Sequence, residues 1–330
     1  MNIFLVGYFG AGNLGDELVL NLFHQGIRPF ASRIFVLTRG EYPLPQGLIP
    51  VYYRDVFLVY RTLQQSDIVI FLSGDLVCDI FLKKSTAYYL SLATATRKMK
   101  KELYFLSQTL SPVENPLIFL LVKRIAPGIT AITFRDVTSF HYARQFPFPK
   151  ILLTADWAFL YPAVQEKPAR YTEETIMIVR KNFRFSERDW LAIVKKIPGP
   201  VSFMAFQRQD EPLCFRLSEK LPRTRVIPYS PNVEGILEKL REAREIYSAR
   251  LHGLILGVLC GRPVAGVNLL PKIGYFCEEM NLPFFPKIPK KGQKICEIPI
   301  PKVAESDKIE IMRNRAEENW KVLPLNRKES

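Results

Sequence analysis

The sequence predicts an α/β protein built as two parallel-sheet, Rossmann-like domains facing a cleft, and three observations predict it. Near-continuous apolar runs of strand length alternate with helix-length segments throughout the first half of the chain. The alternation breaks once, around Tyr161–Thr175, and then restarts. A glycine-rich turn follows the first strand and runs into an apolar helical segment, the order in which open parallel sheets present their ligand loops. At 330 residues the chain is long enough for two domains of ordinary size, each with its own core.

The strand candidates of the first half are Ile3–Val6, Ile34–Leu37, Ile68–Leu72, Leu103–Gln108, Ile129–Phe134 and Ile151–Ala155. They lack polar alternation, which suits strands covered by helices on both faces. Pro162, Pro168 and several charges then interrupt the pattern, so the expected domains are 1–165 and 166–306. In the second half, strands are expected at Thr175–Val179, Val201–Phe206, Arg225–Pro228, Ile246–Ser248 and Val264–Val267. Helices are expected near Glu187–Lys196, Leu213–Lys220, Val233–Glu242 and Leu251–Cys260. Pro283–Lys291, rich in proline and lysine, reads as a surface connector. Ile309, Ile311, Met312, Ala316 and Trp320 fall near helical spacing, so 307–330 is expected to form a terminal helix and tail that packs back on the N-terminal domain.

Hydrophobic residues make up 48% of the chain and charged residues 24%, ordinary values for a globular protein that exclude the disordered and collagen-like classes. The formal charge of +14 attracts anions. Its short clusters, Arg97–Lys101 and Lys287–Lys291, carry no RNA-binding or zinc-finger signature and read as either a solvated face or a membrane-surface contact, so nucleic acid is not an expected partner. Five cysteines, Cys78, Cys214, Cys260, Cys277 and Cys296, are widely spaced with no CxxC pair, which points to neither a disulfide framework nor a metal site. No signal peptide is visible, and the longest apolar stretch, Leu117–Val122, is too short to cross a bilayer. The expected location is the cytoplasm, with contact at the inner face of the membrane, and no cofactor is expected.

The strongest local signal is Gly7-Tyr8-Phe9-Gly10-Ala11-Gly12-Asn13-Leu14-Gly15-Asp16-Glu17. Gly10, Gly12 and Gly15 let backbone N–H groups approach a ligand, and the helix N-terminus behind them favours negative charge. The spacing satisfies the dinucleotide fingerprint, yet no acidic residue closes a second strand near Leu37-Thr38-Arg39. Asp16 and Glu17 sit where carboxylates also simply complement the helix dipole. Ser73-Gly74-Asp75-Leu76-Val77-Cys78-Asp79 ends another strand, so that Asp75 or Asp79 either holds a sugar hydroxyl or caps a turn. Arg135, in Thr133-Phe134-Arg135-Asp136, and Arg180 each end a strand, where a guanidinium forks onto carboxylate or phosphate unless a neighbour such as Asp136 pairs with it.

The second strong signal is Tyr247-Ser248-Ala249-Arg250-Leu251-His252-Gly253, which sets a fixed cation and an imidazole at a strand end just before a helix. His24 and His141, on predicted helices without such partners, read as structural. Lys272, in Leu270-Pro271-Lys272-Ile273-Gly274, follows the next strand and serves as a point charge for phosphate. No nucleophile elbow or metal-ligand spacing accompanies these groups.

In this order the motifs resemble the polysaccharide pyruvyl transferase family, especially its bacterial cell-wall branch. Gly7–Glu17 is similar to that family's glycine-rich motif, Ser107-Gln108-Thr109-Leu110-Ser111-Pro112 to its Gly-Gln-Gly-x-x-Pro turn, and Arg135-Asp136 to its Arg-Asp pair. Thr154-Ala155-Asp156, Ser248–His252 and Pro271-Lys272 complete the series. The resemblance implies a GT-B-like fold, phosphoenolpyruvate as donor, a glycan or lipid-linked saccharide as acceptor, and a pyruvate ketal as product. It implies that His252 is the acid for the donor's methylene carbon, that Arg135 and Lys272 hold its carboxylate and phosphate, and that Arg250 supports the cluster. The sequence departs from the family at Asp75, where a glycine is usual, at Ala11, where an aromatic is usual, and at Ala249, where a methionine is usual. Two other readings fit the same architecture: a GT-B glycosyltransferase with a nucleotide-sugar donor, and a non-catalytic glycan or membrane-surface binding homologue.

Overall fold

A computed structural model describes residues 1–75, 83–162, 171–181, 185–285 and 297–325. Cys78, Asp79, Cys296 and the Lys287–Lys291 cluster lie outside the described residues. The chain divides into two compact units: Met1–Gly12, Asp16–Leu160 and Ile311–Ser330 form the first, and Asn13–Gly15 with Tyr161–Glu310 form the second.

The first unit is a parallel sheet in the order β3-β2-β1-β4-β5-β6-β7. Its strands are β1 (Asn2–Phe9), β2 (Arg33–Thr38), β3 (Ile49–Tyr52), β4 (Ile68–Gly74), β5 (Glu102–Gln108), β6 (Ala131–Phe134) and β7 (Ile151–Leu153). The intervening helices are α1 (Leu14–Ile27), α2 (Val56–Gln65), α3 (Lys83–Lys98), α4 (Pro116–Ile125) and α5 (Val137–Ala143). Alternate residues of one strand serve opposite cores, as a pleated strand covered on both faces requires. Phe4 and Val6 face a cluster with Val59, Leu63, Leu90 and Val122, whereas Ile3 and Leu5 face one with Val19, Phe23, Trp157 and Trp320. Phe23, Trp157 and Trp320 meet there with ring centroids 4.7–5.2 Å apart. Trp320 lies just past the C-terminal helix Ser306–Glu317, so the end of the chain closes the first unit's core.

The second unit is a parallel sheet in the order β10-β9-β8-β11-β12-β13. It comprises β8 (Thr175–Val179), β9 (Val201–Ala205), β10 (Thr224–Ile227), β11 (Glu245–Ser248), β12 (Val264–Val267) and β13 (Phe284–Phe285). Its helices are α6 (Glu187–Val194), α7 (Glu211–Ser218), α8 (Val233–Glu242), α9 (Leu251–Leu259) and α10 (Pro271–Glu279), and the C-terminal helix is α11 (Ser306–Glu317). Trp190 and Phe203 are fully buried in its core.

Two strands differ from the sequence expectation, and both are short edge strands. β3 has Pro50 in the middle of the apolar run Leu48–Tyr53, and a proline argues against a strand except at an edge, which is where β3 lies. Phe284 and Phe285, expected in a connector, pair with Gly266 and Val267 of β12. In both cases strand-forming residues sit beside prolines, and pairing at a sheet edge settles the conformation.

Candidate functional site

In an open parallel sheet the ligand crevice opens at the carboxyl ends of the strands where the strand order reverses. In the first unit that point lies between β1 and β4, whose carboxyl ends run into Gly10–Glu17 and Gly74-Asp75. In the second it lies between β8 and β11, which are followed by Arg180 and by Ala249–His252. These loops thus occupy both reversal points, whereas Arg135 follows β6, two strands from β4, and Lys272 follows β12, next to β11.

The glycine-rich loop is first of all a tight turn. Gly10 and Gly12 both have φ of +65°, a conformation side chains disfavour. A Cβ on Gly10 would stand 2.0 Å from Thr38 Oγ1, and one on Gly12 would stand 2.2 Å from the Tyr42 ring. The backbone N–H groups of Gly10, Ala11 and Gly12 are directed at the carboxylate of Glu17, which lies 3.3 Å from Ala11 N. The anion these N–H groups serve is therefore the loop's own. Burial, with a smaller contribution from adjacent Asp16, nevertheless raises the Glu17 carboxyl to about 7, so this group titrates near neutrality.

Arg135, at the end of β6, is buried and held from three sides. Nη1 donates to Asp156 Oδ2 at 2.7 Å and to Ser73 Oγ at 3.4 Å, and Nε donates to Thr109 Oγ1 at 2.8 Å. Its ion-pair partner is Asp156, not the neighbouring Asp136. Asp136 turns away to cap α5, accepting from Ser139 N at 2.7 Å, and burial raises its pKa. Arg135 Nη2 is buried and finds no hydrogen-bond partner among the described residues. The same holds for Asp75 Oδ1. Behind this cluster the fully buried Asn319 takes Thr133 Oγ1 and Thr154 Oγ1 as donors and gives its amide to Ala155 O at 3.0 Å. The segment that ends in Asp156 is thereby fixed.

In the second unit, Ser248 locks the turn that leads out of β11. Its Oγ accepts from Arg250 N at 3.0 Å and donates to Arg250 O at 2.7 Å. Gly253 is required just beyond, because a Cβ there would stand 2.4 Å from Ser248 Oγ and 2.6 Å from Ile178 Cδ1. Arg250 is buried; its Nη2 donates to Asp210 Oδ2 and, at 3.0 Å, to Gln207 Oε1. Asp210 is fully buried and also accepts from Lys181 N at 3.0 Å, so one carboxylate ties the ends of β8, β9 and β11 together. Arg250 Nε has no partner among the described residues. His252 is half-buried in the first turn of α9. Asn13–Gly15 belongs to this unit: Leu14 N donates to Phe206 O at 2.9 Å, and Asn13 bridges to Gln207. Gly15 lies so close to His252 that a Cβ there would stand 1.8 Å from Nδ1. Lys272 is half-buried in the first turn of α10, next to the end of β12, and Arg180 is half-buried beyond β8.

The structure therefore gathers Arg250, His252 and Gly15 with Asp210 and Gln207 in one unit, and Arg135 with Asp156, Thr109 and Ser73 in the other. Asp156 is marked in the sequence by Thr154-Ala155-Asp156, though not as the partner of Arg135. Asp210 and Gln207 carry no motif of their own, and their only sequence signal is that each lies close behind a strand end. Chemically, each arginine is oriented by a buried carboxylate and keeps a buried nitrogen that no described residue uses, which suits an anion that brings its own oxygens. Among the described residues no group of three or more His, Cys, Asp or Glu is placed to hold a metal ion.

The sequence model of the family described as polysaccharide pyruvyl transferase matches residues 13–269. No curated protein is significantly similar to the chain in sequence. Among solved structures, UDP-GlcNAc 2-epimerase from Neisseria meningitidis, bound to UDP-GlcNAc, has a TM-score of 0.54 at 10% identity, over 83% of this chain and 85% of that one. The Methanocaldococcus jannaschii UDP-GlcNAc 2-epimerase in complex with UDP-GlcNAc and UDP has a TM-score of 0.53 at 11% identity, over 82% and 84%. An α-glucosyltransferase in complex with UDP and a 13-mer DNA has a TM-score of 0.51 at 10% identity, over 81% and 80%. These likenesses identify the fold as GT-B-like.

Proposed function

The chain belongs to the polysaccharide pyruvyl transferase family, and from that premise we propose that it moves the pyruvyl group of phosphoenolpyruvate onto two hydroxyls of a surface glycan or its lipid-linked precursor. In this reading the second unit handles the donor, with Gly15 beside His252 and Asn13 on Gln207, and the strand-end loops of the first unit handle the acceptor through Asp16 and Asp75, Gly10 and Gly12 shaping the turn. His252 delivers a proton to the donor's methylene carbon, which becomes a methyl group. The adjacent carbon gains oxocarbenium character, one sugar hydroxyl adds to it, and the C–O bond to phosphate breaks. A second hydroxyl then closes the cyclic ketal. Of the two hydroxyl protons released, one restores His252 and the other leaves with inorganic phosphate.

Within the second unit Lys272 and Arg180 neutralise the donor's carboxylate and phosphate and Arg250 steadies the same cluster; in the first, Arg135, already paired with Asp156, offers a further N–H to an anion. Preorganised donors of this kind stabilise developing charge without reorganising during the reaction. The observation that supports this most is the paired state of the two buried arginines. Each is fixed by a carboxylate, and each still has a buried nitrogen without a partner among the described residues. Such a nitrogen costs about 1–3 kcal/mol until an acceptor arrives.

The test is incubation with a saccharide acceptor and either phosphoenolpyruvate or UDP-sugars. Phosphate release and a gain of one pyruvate less water on the acceptor, both lost in His252→Ala with the fold intact, are expected. Nucleotide release from a UDP-sugar, or full activity in His252→Ala, refutes the reading.

A further inference from the structure

Helices α2, α3 and α4 lie over the same face of the first unit's sheet, where they share one apolar core. Each outer helix already supplies an inward stripe, Val59 and Leu63 on α2, and Ile118, Val122 and Ile125 on α4. Their outward sides nevertheless carry a second set of large apolar residues. Val56 and Phe57 in the first turn of α2 are 70% and 86% exposed, and Tyr60 one turn later is 52% exposed. On α4, Leu117 and Leu120 are 64% and 60% exposed. These side chains add nothing to the core, and five of them on two helices of one layer exceed the scattered exposure that needs no explanation.

The charge around them has one dominant sign. Arg61 on α2 and Lys123 and Arg124 on α4, each within a turn of the exposed apolar side chains of its own helix, are all exposed. The acids nearby are Asp55 and Glu114, and Asp55 is occupied in capping α2 through Leu58 N at 2.9 Å. Helices that return from parallel strands start at the strands' carboxyl ends. The apolar first turns of α2 and α4 therefore lie toward the end of the layer where the sheet presents its loops.

We propose that this helix face is a docking surface for a bilayer that contains anionic lipid. Phe57, Tyr60, Leu117 and Leu120 enter the boundary between headgroups and acyl chains while Arg61, Lys123 and Arg124 meet lipid phosphates. No helix among the described residues is long and apolar enough to cross a membrane, so the contact is peripheral. A second copy of the chain fits less well, because a twofold contact through the same patch sets its cations against their own counterparts. Nucleic acid fits less well too, since Val56, Leu117 and Leu120 offer a phosphate backbone nothing. The inference stands on this face alone and does not depend on the pyruvyl transfer reading.

The test is sedimentation of the full chain with vesicles of phosphatidylcholine alone or mixed with phosphatidylglycerol, at low and high salt, with no substrate present. Wild type should pellet with the anionic vesicles and be released in part by salt. Phe57→Ser with Leu120→Ser should lower partitioning at least tenfold at either salt concentration, and Lys123→Glu with Arg124→Glu should lower it mainly at low salt. All four positions are exposed, so circular dichroism should show an unchanged fold. Wild type that stays in the supernatant with anionic vesicles, or variants that bind as it does, overturns the proposal. So does a dimer in light scattering that Phe57→Ser with Leu120→Ser dissolves, in the absence of vesicle binding.

Discussion

Gly15→Ala places a methyl group where the His252 imidazole now lies. The added Cβ would stand 1.8 Å from Nδ1, 2.2 Å from Cγ and 2.6 Å from Cε1. Ordinary contact begins near 3.4 Å, so the ring must retreat by about 1.6 Å or rotate away. Backbone conformation does not oppose the substitution, because Gly15 is not in a left-handed conformation and lies in the first turn of α1, where alanine is favoured over glycine by up to about 1 kcal/mol. The gain in helix propensity and the cost of moving one half-buried ring are of similar size, so the melting temperature should shift by only a few degrees. Proton delivery is far less tolerant, since a misplacement of about 1 Å in a reacting group costs on the order of a hundredfold in rate. The expected result is a fall of about two orders of magnitude in phosphate release from phosphoenolpyruvate at saturating acceptor, beside near-wild-type stability by scanning fluorimetry. A variant that turns over within threefold of wild type would refute the argument, because it would show that the position His252 holds beside Gly15 is not the one from which a proton is delivered.

Two further outcomes follow from buried charge. Asp210→Ala should destabilise the second unit by about 3–5 kcal/mol, because it strands the buried Arg250 and removes the acceptor of Lys181 N; native-state hydrogen exchange of β8 and β11 amides reads this directly, and a loss under about 1 kcal/mol contradicts it. Glu17 is raised from 4.5 to about 7, so between these values the folded state binds more protons than the unfolded chain. Its contribution to stability is therefore fully present below about 4.5, is lost as pH rises to about 7, and amounts to roughly 3 kcal/mol at most. Urea unfolding across pH 4–8 should show this slope in wild type and lose it in Glu17→Gln; an identical slope in the variant assigns the titration elsewhere.

The sequence carried the places of the site better than its pairings. Apolar runs mark where parallel strands stop, and the polar residues just after them, Arg135, Arg180, Arg250 and His252, sit at strand ends because a strand that leaves the core must end in something polar. What those residues touch is decided by chain segments far away. Arg135 passes over its neighbour Asp136 for Asp156, because adjacent residues leaving a strand point to opposite sides. Arg250 finds Asp210 forty residues earlier, at the end of a different strand. Backbone conformation was equally hidden. Ser73 and Ser107 have φ of +55° and +54°, the region where glycine is at ease, and Ser107 stands where the resembling Gly-Gln-Gly-x-x-Pro motif begins with glycine. The Ser73 hydroxyl lies 3.4 Å from Arg135 Nη1, and Ser107 Oγ donates to Ala155 O at 3.3 Å, so each strained serine contributes a contact that glycine lacks. The same logic reverses the first impression of the charges. Arg135 and Arg250 are each paired with a buried carboxylate where they stand, so on the proposed reading an anion would meet oriented N–H groups there and not bare cations, with the protein's +14 charge serving only to draw it near.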